Sequence, residues 1–193
     1  MATISAFASV TLDGVMQAPG RADEDARDGF RHGGWAAGYS DEVIGRFAAA
    51  GMGTTTALLL GRRTYDDLLG YWTAMPEPNP FTEALVTQPK YVVSRHEHVQ
   101  PGYPNSTLLA GEAAETVARL KKEVGGALTV LGSGELVRSL HAAGLVDEYV
   151  VLVHPIVLGA GTRLFGDGDR VDLSLADSLT STTGVLLARY RVR

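Results

Sequence analysis

The chain has 193 residues, 45% of them apolar and 20% charged, and contains no cysteine. That length predicts one domain able to bury its own core, and the lack of thiols excludes disulfides, Cys-ligated zinc, iron–sulfur clusters and a cysteine nucleophile. Seventeen Lys and Arg against 22 Asp and Glu leave a net charge of −5, the wrong sign for a nucleic-acid partner.

No apolar run approaches the roughly 18 residues that cross a bilayer. The opening MATISAFASVTLDG has no basic leader ahead of its apolar stretch and does not read as a signal peptide. The expectation is a cytoplasmic protein that engages neither membrane nor nucleic acid.

Thr3 to Leu12 is β-branched and apolar and stops at the turn pair Asp13-Gly14, which predicts a buried strand. Residues 17–40 mix acids, arginines, glycines and aromatics without periodicity. They read as a long loop, a type that in compact domains is usually functional or mobile. Ser40 is the expected N-cap of a helix that opens with Asp41 and Glu42 and runs to about Ala50, with Val43, Ile44 and Phe47 on one face.

Thr56 to Leu60 reads as a second strand, passing through Gly61-Arg62-Arg63-Thr64 into a helix over Thr64 to Leu69. Pro76, Pro78 and Pro80 break the next stretch, and a short helix is expected from Phe81. Tyr91 to Val93 is a third strand ending at Ser94-Arg95, and Thr107 to Leu109 a short fourth. Ala113 to Glu123 is an amphipathic helix closed by Gly125-Gly126. Leu128 to Leu131 is another buried strand, leading through Gly132-Ser133-Gly134 into a helix that ends near Ala143. Glu148 to Val153, Leu173 to Thr182 and Val185 to Val192 are strands with no helix between them, so antiparallel pairing at one edge is expected. The expected class is α/β: a mixed, mainly parallel central sheet flanked by helices, with an antiparallel C-terminal hairpin.

Three of these strands end in polar turns: Gly61-Arg62-Arg63-Thr64, Ser94-Arg95 and Gly132-Ser133-Gly134. Ligands of open α/β sheets lie beyond the carboxyl ends of strands. Helix N-termini attract anions, arginine forks match phosphate oxygens, and glycine admits close backbone approach. The dinucleotide fingerprint G-x-G-x-x-G is incomplete, because position 137 is Val. Any one turn alone reads more readily as a tight connection with solvated arginines; three in one chain favour a nucleotide with two or three phosphates.

Residues 58–68 (LLLGRRTYDDL), 91–95 (YVVSR), 130–140 (VLGSGELVRSL) and 152–166 (LVHPIVLGAGTRLFG), with Ser9 to Gly14 (SVTLDG), occur in an order that resembles the dihydrofolate-reductase-like superfamily. Within it, the chain is most similar to the reductase domain of bacterial riboflavin biosynthesis and its stand-alone relatives. The resemblance implies a single domain of that fold over residues 1–193, using NADPH to pass hydride to a small heterocyclic or carbonyl substrate. It would put Gly61, Arg62, Arg63 and Thr64 at the cofactor's phosphates and Ser94 and Arg95 on the adenosine 2′-phosphate. Gly132, Ser133, Gly134, Glu135 and Leu136 would cradle the pyrophosphate, and Ala8, Val15 and Met16 would line the nicotinamide side. The relatives commonly form homodimers, and the C-terminal strands offer an edge that needs cover, so a homodimer with a small-molecule substrate is expected.

In such chemistry the protein orients the cofactor and supplies a proton, commonly from a carboxyl whose pKa is raised by burial. True dihydrofolate reductases carry that acid on the helix after the first strand, and the matching position here is Gly45, so folate reduction is not expected. Asp13 and Glu42 are the candidate catalytic acids, with water as the other proton source. Asp13 also reads as a turn former ahead of Gly14. Trp35, Tyr39 and Trp72 are candidate walls for a flat substrate, or cover for the core. Arg21, Arg27 and Arg31 are interleaved with Asp23, Glu24, Asp25 and Asp28, which reads as solvated surface rather than a phosphate clamp. His96-x-His98 lacks a third ligand, so no metal is expected, and His154 reads as structural. The zinc deaminase that partners the reductase in the bifunctional riboflavin enzyme needs cysteines, which this chain does not have. A non-catalytic NADPH-binding sensor of the same fold is the alternative function, and a structural dimer module a third.

Overall fold

Apolar segments of β character recur between helical ones, and the computed structural model, which describes residues 1–77 and 79–193, assembles them into one sheet. Pro78, one of the three expected breakers, lies outside the described residues. The strands are β1 (Thr3–Thr11), β2 (Ala57–Gly61), β3 (Lys90–Ser94), β4 (Ser106–Ala110), β5 (Ala127–Leu131), β6 (Glu148–His154), β7 (Leu173–Thr180) and β8 (Leu186–Val192). Their order across the sheet is β4-β3-β2-β5-β1-β6-β8-β7. Strands β1 to β6 are mutually parallel, so their carboxyl ends share one edge. β8 runs antiparallel between β6 and β7. This is the mixed, mainly parallel sheet with antiparallel C-terminal strands that the sequence predicts.

The helices are α1 (Glu42–Thr54), α2 (Arg62–Thr73), α3 (Pro80–Thr87), α4 (Ala113–Glu123) and α5 (Gly134–Ala142). β2 is apolar at every position because both of its faces are covered, as parallel central strands require. Leu58 and Leu60 pack with Tyr65 and Leu69 of α2 and Leu85 of α3. Ala57 and Leu59 face the other way, into a cluster with Val117 and Leu120 of α4 and Leu136, Val137 and Leu140 of α5. Ile44 and Phe47 of α1 pack against Leu152 of β6 and Leu187 of β8.

Several boundaries differ from the sequence reading for local reasons. Asp41, not Ser40, caps α1, its Oδ1 accepting from Ile44 N at 2.8 Å. α1 also runs past Ala50 to Thr54. α2 starts at Arg62, directly off β2, and continues past Leu69 to Thr73. β6 is no edge strand: it lies parallel to β1 from Ser5↔Glu148 to Thr11↔His154, because α5 carries the chain over the sheet before it. β3 begins at Lys90, whose buried amine donates to the carbonyls of Leu85, Val86 and Gln88 at 2.7, 3.1 and 2.7 Å. That amine satisfies the C-terminal carbonyls of α3, and desolvation pushes its pKa down.

Candidate functional site

β3, β2 and β5 are adjacent, so the three polar turns that follow them stand side by side at the carboxyl edge. They line one cleft of about 320 Å³, together with Gly111 and Ala113 beyond β4 and Arg27 from the 17–40 loop. Gly61, Arg62, Arg63, Thr64, Ser94, Arg95, Ser133, Gly134, Glu135 and Leu136 all border it. The turns are tied together. Gly61 N donates to Ser133 Oγ at 3.0 Å, and that hydroxyl reaches the Leu131 carbonyl at 3.3 Å.

Three helices open on this cleft: α2 after Gly61, α4 after Glu112 and α5 after Ser133. None has a side chain capping its first free amides. Uncapped N–H groups with the positive end of the helix dipole form a ready seat for anions. Gly132 and Ser133 both sit in the left-handed region, at φ +61° and +52°, an uncommon conformation for serine that marks a local constraint. A Cβ at Gly134 would lie 2.8 Å from the Met16 sulfur. The backbone at the start of α5 is therefore packed directly under the loop that follows β1.

The arginines of the cleft are held by carboxylates. Arg63 Nη1 donates to Glu135 Oε1 at 3.0 Å, Arg27 Nη1 to the same oxygen at 2.9 Å, and Arg95 Nε to Glu112 Oε1 at 3.0 Å. Arg62 pairs with Asp66 one turn along α2. The Arg27 hydrogen bond, with Arg63 beside it, holds the Glu135 carboxyl below the usual range. Ser94 is buried, its Oγ accepting from His96 N at 3.1 Å.

Other candidates lie elsewhere. Ala8 and Val15 are buried and do not line the cleft: Ala8 is in the core layer under α4 and α5, and Val15 packs with Ala18, Phe30 and Trp35. Met16 is the member of that group that reaches the cleft wall, through Gly134. The Asp13 carboxylate accepts from Thr11 Oγ1 at 2.6 Å, Gly159 N at 2.8 Å and Leu158 N at 3.2 Å. These bonds, the Thr11 one foremost, lower its pKa to about 2. A carboxylate so stabilised has no proton to give at neutral pH; Asp13 clamps the segment after β6 to the end of β1. Glu42 is exposed at the start of α1 and pairs with Arg46 at 2.6 Å, so it too stands apart from the cleft.

The three aromatics do not form one pocket. Trp35 and Tyr39 stand edge-on to His154, with ring centroids 5.1 and 5.5 Å away. Trp72 packs on Phe81 at 4.9 Å, ten residues and about 15 Å along α2 from its cleft end. His154 Nδ1 lies 3.0 Å from the Leu152 carbonyl, and burial lowers its pKa. A neutral structural ring results.

The 17–40 loop is pinned rather than loose. Arg21 Nη2 donates to Asp67 Oδ1 at 2.6 Å, and its guanidinium lies 4.3 Å over the Tyr71 ring. Trp35 Nε1 donates to the Gln17 carbonyl at 2.7 Å. Between this loop and residues 160–162 lies a second cavity of about 370 Å³, walled by Gln17, Phe30, Arg31 and His32. Arg27 borders both spaces. Among the described residues no helix is long and apolar enough to cross a membrane, and no group of three or more His, Asp or Glu is placed to hold a metal ion.

The family model of the RibD C-terminal domain matches residues 2–187. The chain belongs to that family. An uncharacterised Bacillus subtilis (strain 168) protein, YyaP, is 32% identical over 142 residues, covering 69% of this chain and 72% of that protein. A Shewanella sp. PV-4 protein assigned to riboflavin biosynthesis superposes with a TM-score of 0.70 at 22% identity, covering 100% of this chain and 99% of that one. Dihydrofolate reductase of Enterococcus faecalis, complexed with NADP(H), gives 0.61 at 12% identity, covering 99% of this chain and 96% of its own. The RibD C-terminal domain fold is thus the dihydrofolate-reductase-like fold.

In this member of the RibD C-terminal domain family, sequence reasoning missed Arg27, His96 and the turn after β4. The last was legible: Ala110-Gly111-Glu112 followed by a helix repeats the pattern of the turns after β2 and β5. Arg27 was not, because its partner Glu135 lies 108 positions away.

Proposed function

We propose that the protein is an NADPH-dependent reductase that passes hydride to a small heterocyclic or carbonyl acceptor. The observation that carries this is the convergence of three uncapped helix starts and four arginines on one cleft at the carboxyl edge. NADPH supplies a hydride when bound; the remaining tasks fall to the chain. The amides at the starts of α2 and α5, with Arg63 and Thr64, fit a pyrophosphate. Ser94 and Arg95 fit the 2′-phosphate at the neighbouring strand end. Met16 packs against Gly134 at the cleft wall, and Arg27 of the 17–40 loop borders both the cleft and the second cavity. With Asp13 committed to the backbone and Glu42 outside, water is the proton source in this reading.

Calorimetry tests it. Wild type should bind NADPH, and Arg95→Ala should weaken NADPH by about tenfold to a hundredfold, the worth of a charge-assisted hydrogen bond of about 1.5–3 kcal/mol, while leaving NADH unchanged. Equal loss for both cofactors would remove Arg95 from its assigned role.

The placement of Asp13 and Glu42 also favours a second reading, a sensor that binds NADPH without turnover. NADPH oxidation measured against pterins, pyrimidines and quinones separates the two: binding without turnover on every compound selects the sensor.

A further inference from the structure

We propose that Glu135 is an internal stand-in for a phosphate, displaced when a dinucleotide's phosphate arrives, and that the exchange transfers Arg27 of the 17–40 loop onto the ligand. This rests on the reading that the cleft takes NADPH, and it adds how the ligand and the loop are coupled.

A single oxygen, Glu135 Oε1, accepts from Arg27 Nη1 at 2.9 Å and from Arg63 Nη1 at 3.0 Å. The two guanidiniums come from different elements, the loop and the first turn of α2. The carboxylate that joins them sits in the first turn of α5, whose amides have no side-chain cap. An anion bridging two guanidiniums at an open helix start occupies the position that a phosphate favours.

Arg27 is built to face the cleft. Its Nε and Nη2 donate to Asp25 at 2.8 and 2.6 Å, so its own loop fills one side of the fork. Nη1 alone is turned toward Glu135. The Arg27 carbonyl accepts from Gln17 Nε2 at 3.1 Å, and Gln17 Oε1 accepts from Thr162 N at 2.9 Å. Whatever holds Arg27 therefore also fixes the walls of the second cavity.

The exchange costs little. The Glu135, Arg27 and Arg63 side chains are 65%, 50% and 69% exposed, and ion pairs of that exposure contribute weakly. A phosphate offers more acceptor oxygens and a greater charge to the same forks. Glu135 then competes with the ligand for both arginines and repels it. Removing its charge while keeping its shape should strengthen binding. A carboxylate serving only to order the arginines predicts the reverse.

The test uses Glu135→Gln and Arg27→Ala in the full chain, titrated calorimetrically with NADPH and with inorganic pyrophosphate. Glu135→Gln should bind NADPH about fourfold more tightly, as expected for one charge removed at a solvent-exposed mouth. Arg27→Ala should bind about tenfold more weakly. NADPH should slow amide hydrogen exchange over residues 17–40 in wild type but not in Arg27→Ala. Equal or weaker binding by a Glu135→Gln variant that keeps the wild-type unfolding midpoint overturns the exchange. If that variant is unfolded, wild-type affinity in Arg27→Ala overturns it instead. A wild-type chain that binds no NADPH overturns the cofactor reading; tighter pyrophosphate binding by Glu135→Gln would then still support the exchange, and equal or weaker binding would sink it too.

Discussion

Helices α1 and α3 begin with a side chain folded back onto their first free amides, whereas α2, α4 and α5 do not. Asp41 accepts from Ile44 N, and Asn79 Oδ1 from Thr82 N at 2.9 Å. At α4 the available carboxylate, Glu112, goes to Arg95 instead, and at α5 Glu135 goes to Arg27 and Arg63. A missing N-cap costs about 1 kcal/mol, so three at one edge is an expensive omission unless something else satisfies those amides. In the proposed reading, the contrast separates helix starts that serve the fold from helix starts left open for the dinucleotide.

The comparison breaks most sharply if an open helix is closed. Ser133→Asp places a carboxylate at the left-handed residue before α5, a conformation that Asp tolerates. NADPH affinity should then fall by about tenfold or more, measured by calorimetry. Removing a cap should do the opposite: Asp41→Ala loses the Ile44 amide and the Thr182 contacts at 2.6 and 2.7 Å, so the urea midpoint should drop with no change in NADPH affinity. Asn79→Ala should lower stability by about 1 kcal/mol, again leaving binding intact.

The smallest effect concerns Asp13, outside both groups of helices. Its folded pKa of about 2 lies below the ordinary aspartate value of about 3.9, so the stability it provides is fully present above about pH 4. It is lost as pH falls through 2. The difference in thermal midpoint between wild type and Asp13→Asn should therefore be constant at pH 5 to 7 and close between about pH 4 and 2. A gap that persists at pH 2 would mean that the carboxylate charge is not what holds residues 158–159.

What the sequence disclosed follows the range of the interactions. The passage from Leu58-Leu59-Leu60 through Gly61 into a helix is written in consecutive residues, as is that from Val130-Leu131 through Gly132, and both turns were readable. Fold class followed from the same local alternation. The position of β6 was not readable, because nothing within Glu148 to Val153 says whether its neighbour runs parallel. Asp13 was open to two readings until its partners, Leu158 and Gly159, were located across the carboxyl edge. Trp72 resembled a pocket residue only while the direction of α2 was unknown. Arg27 sat in a mixed-charge loop, where composition suggests solvation, and only the folded chain brings it to Glu135.

Residues 17–40 belong to no strand of the sheet, and their ties to the remainder run largely through side chains such as Arg21, Gln17 and Arg27. A segment held that way can be replaced wholesale without disturbing a ladder bond. Descent from a common ancestor would then preserve the edge formed by β3, β2 and β5 while the opposite wall drifts. If the proposed reductase function holds, kinship within this family should forecast the nucleotide more faithfully than the molecule being reduced.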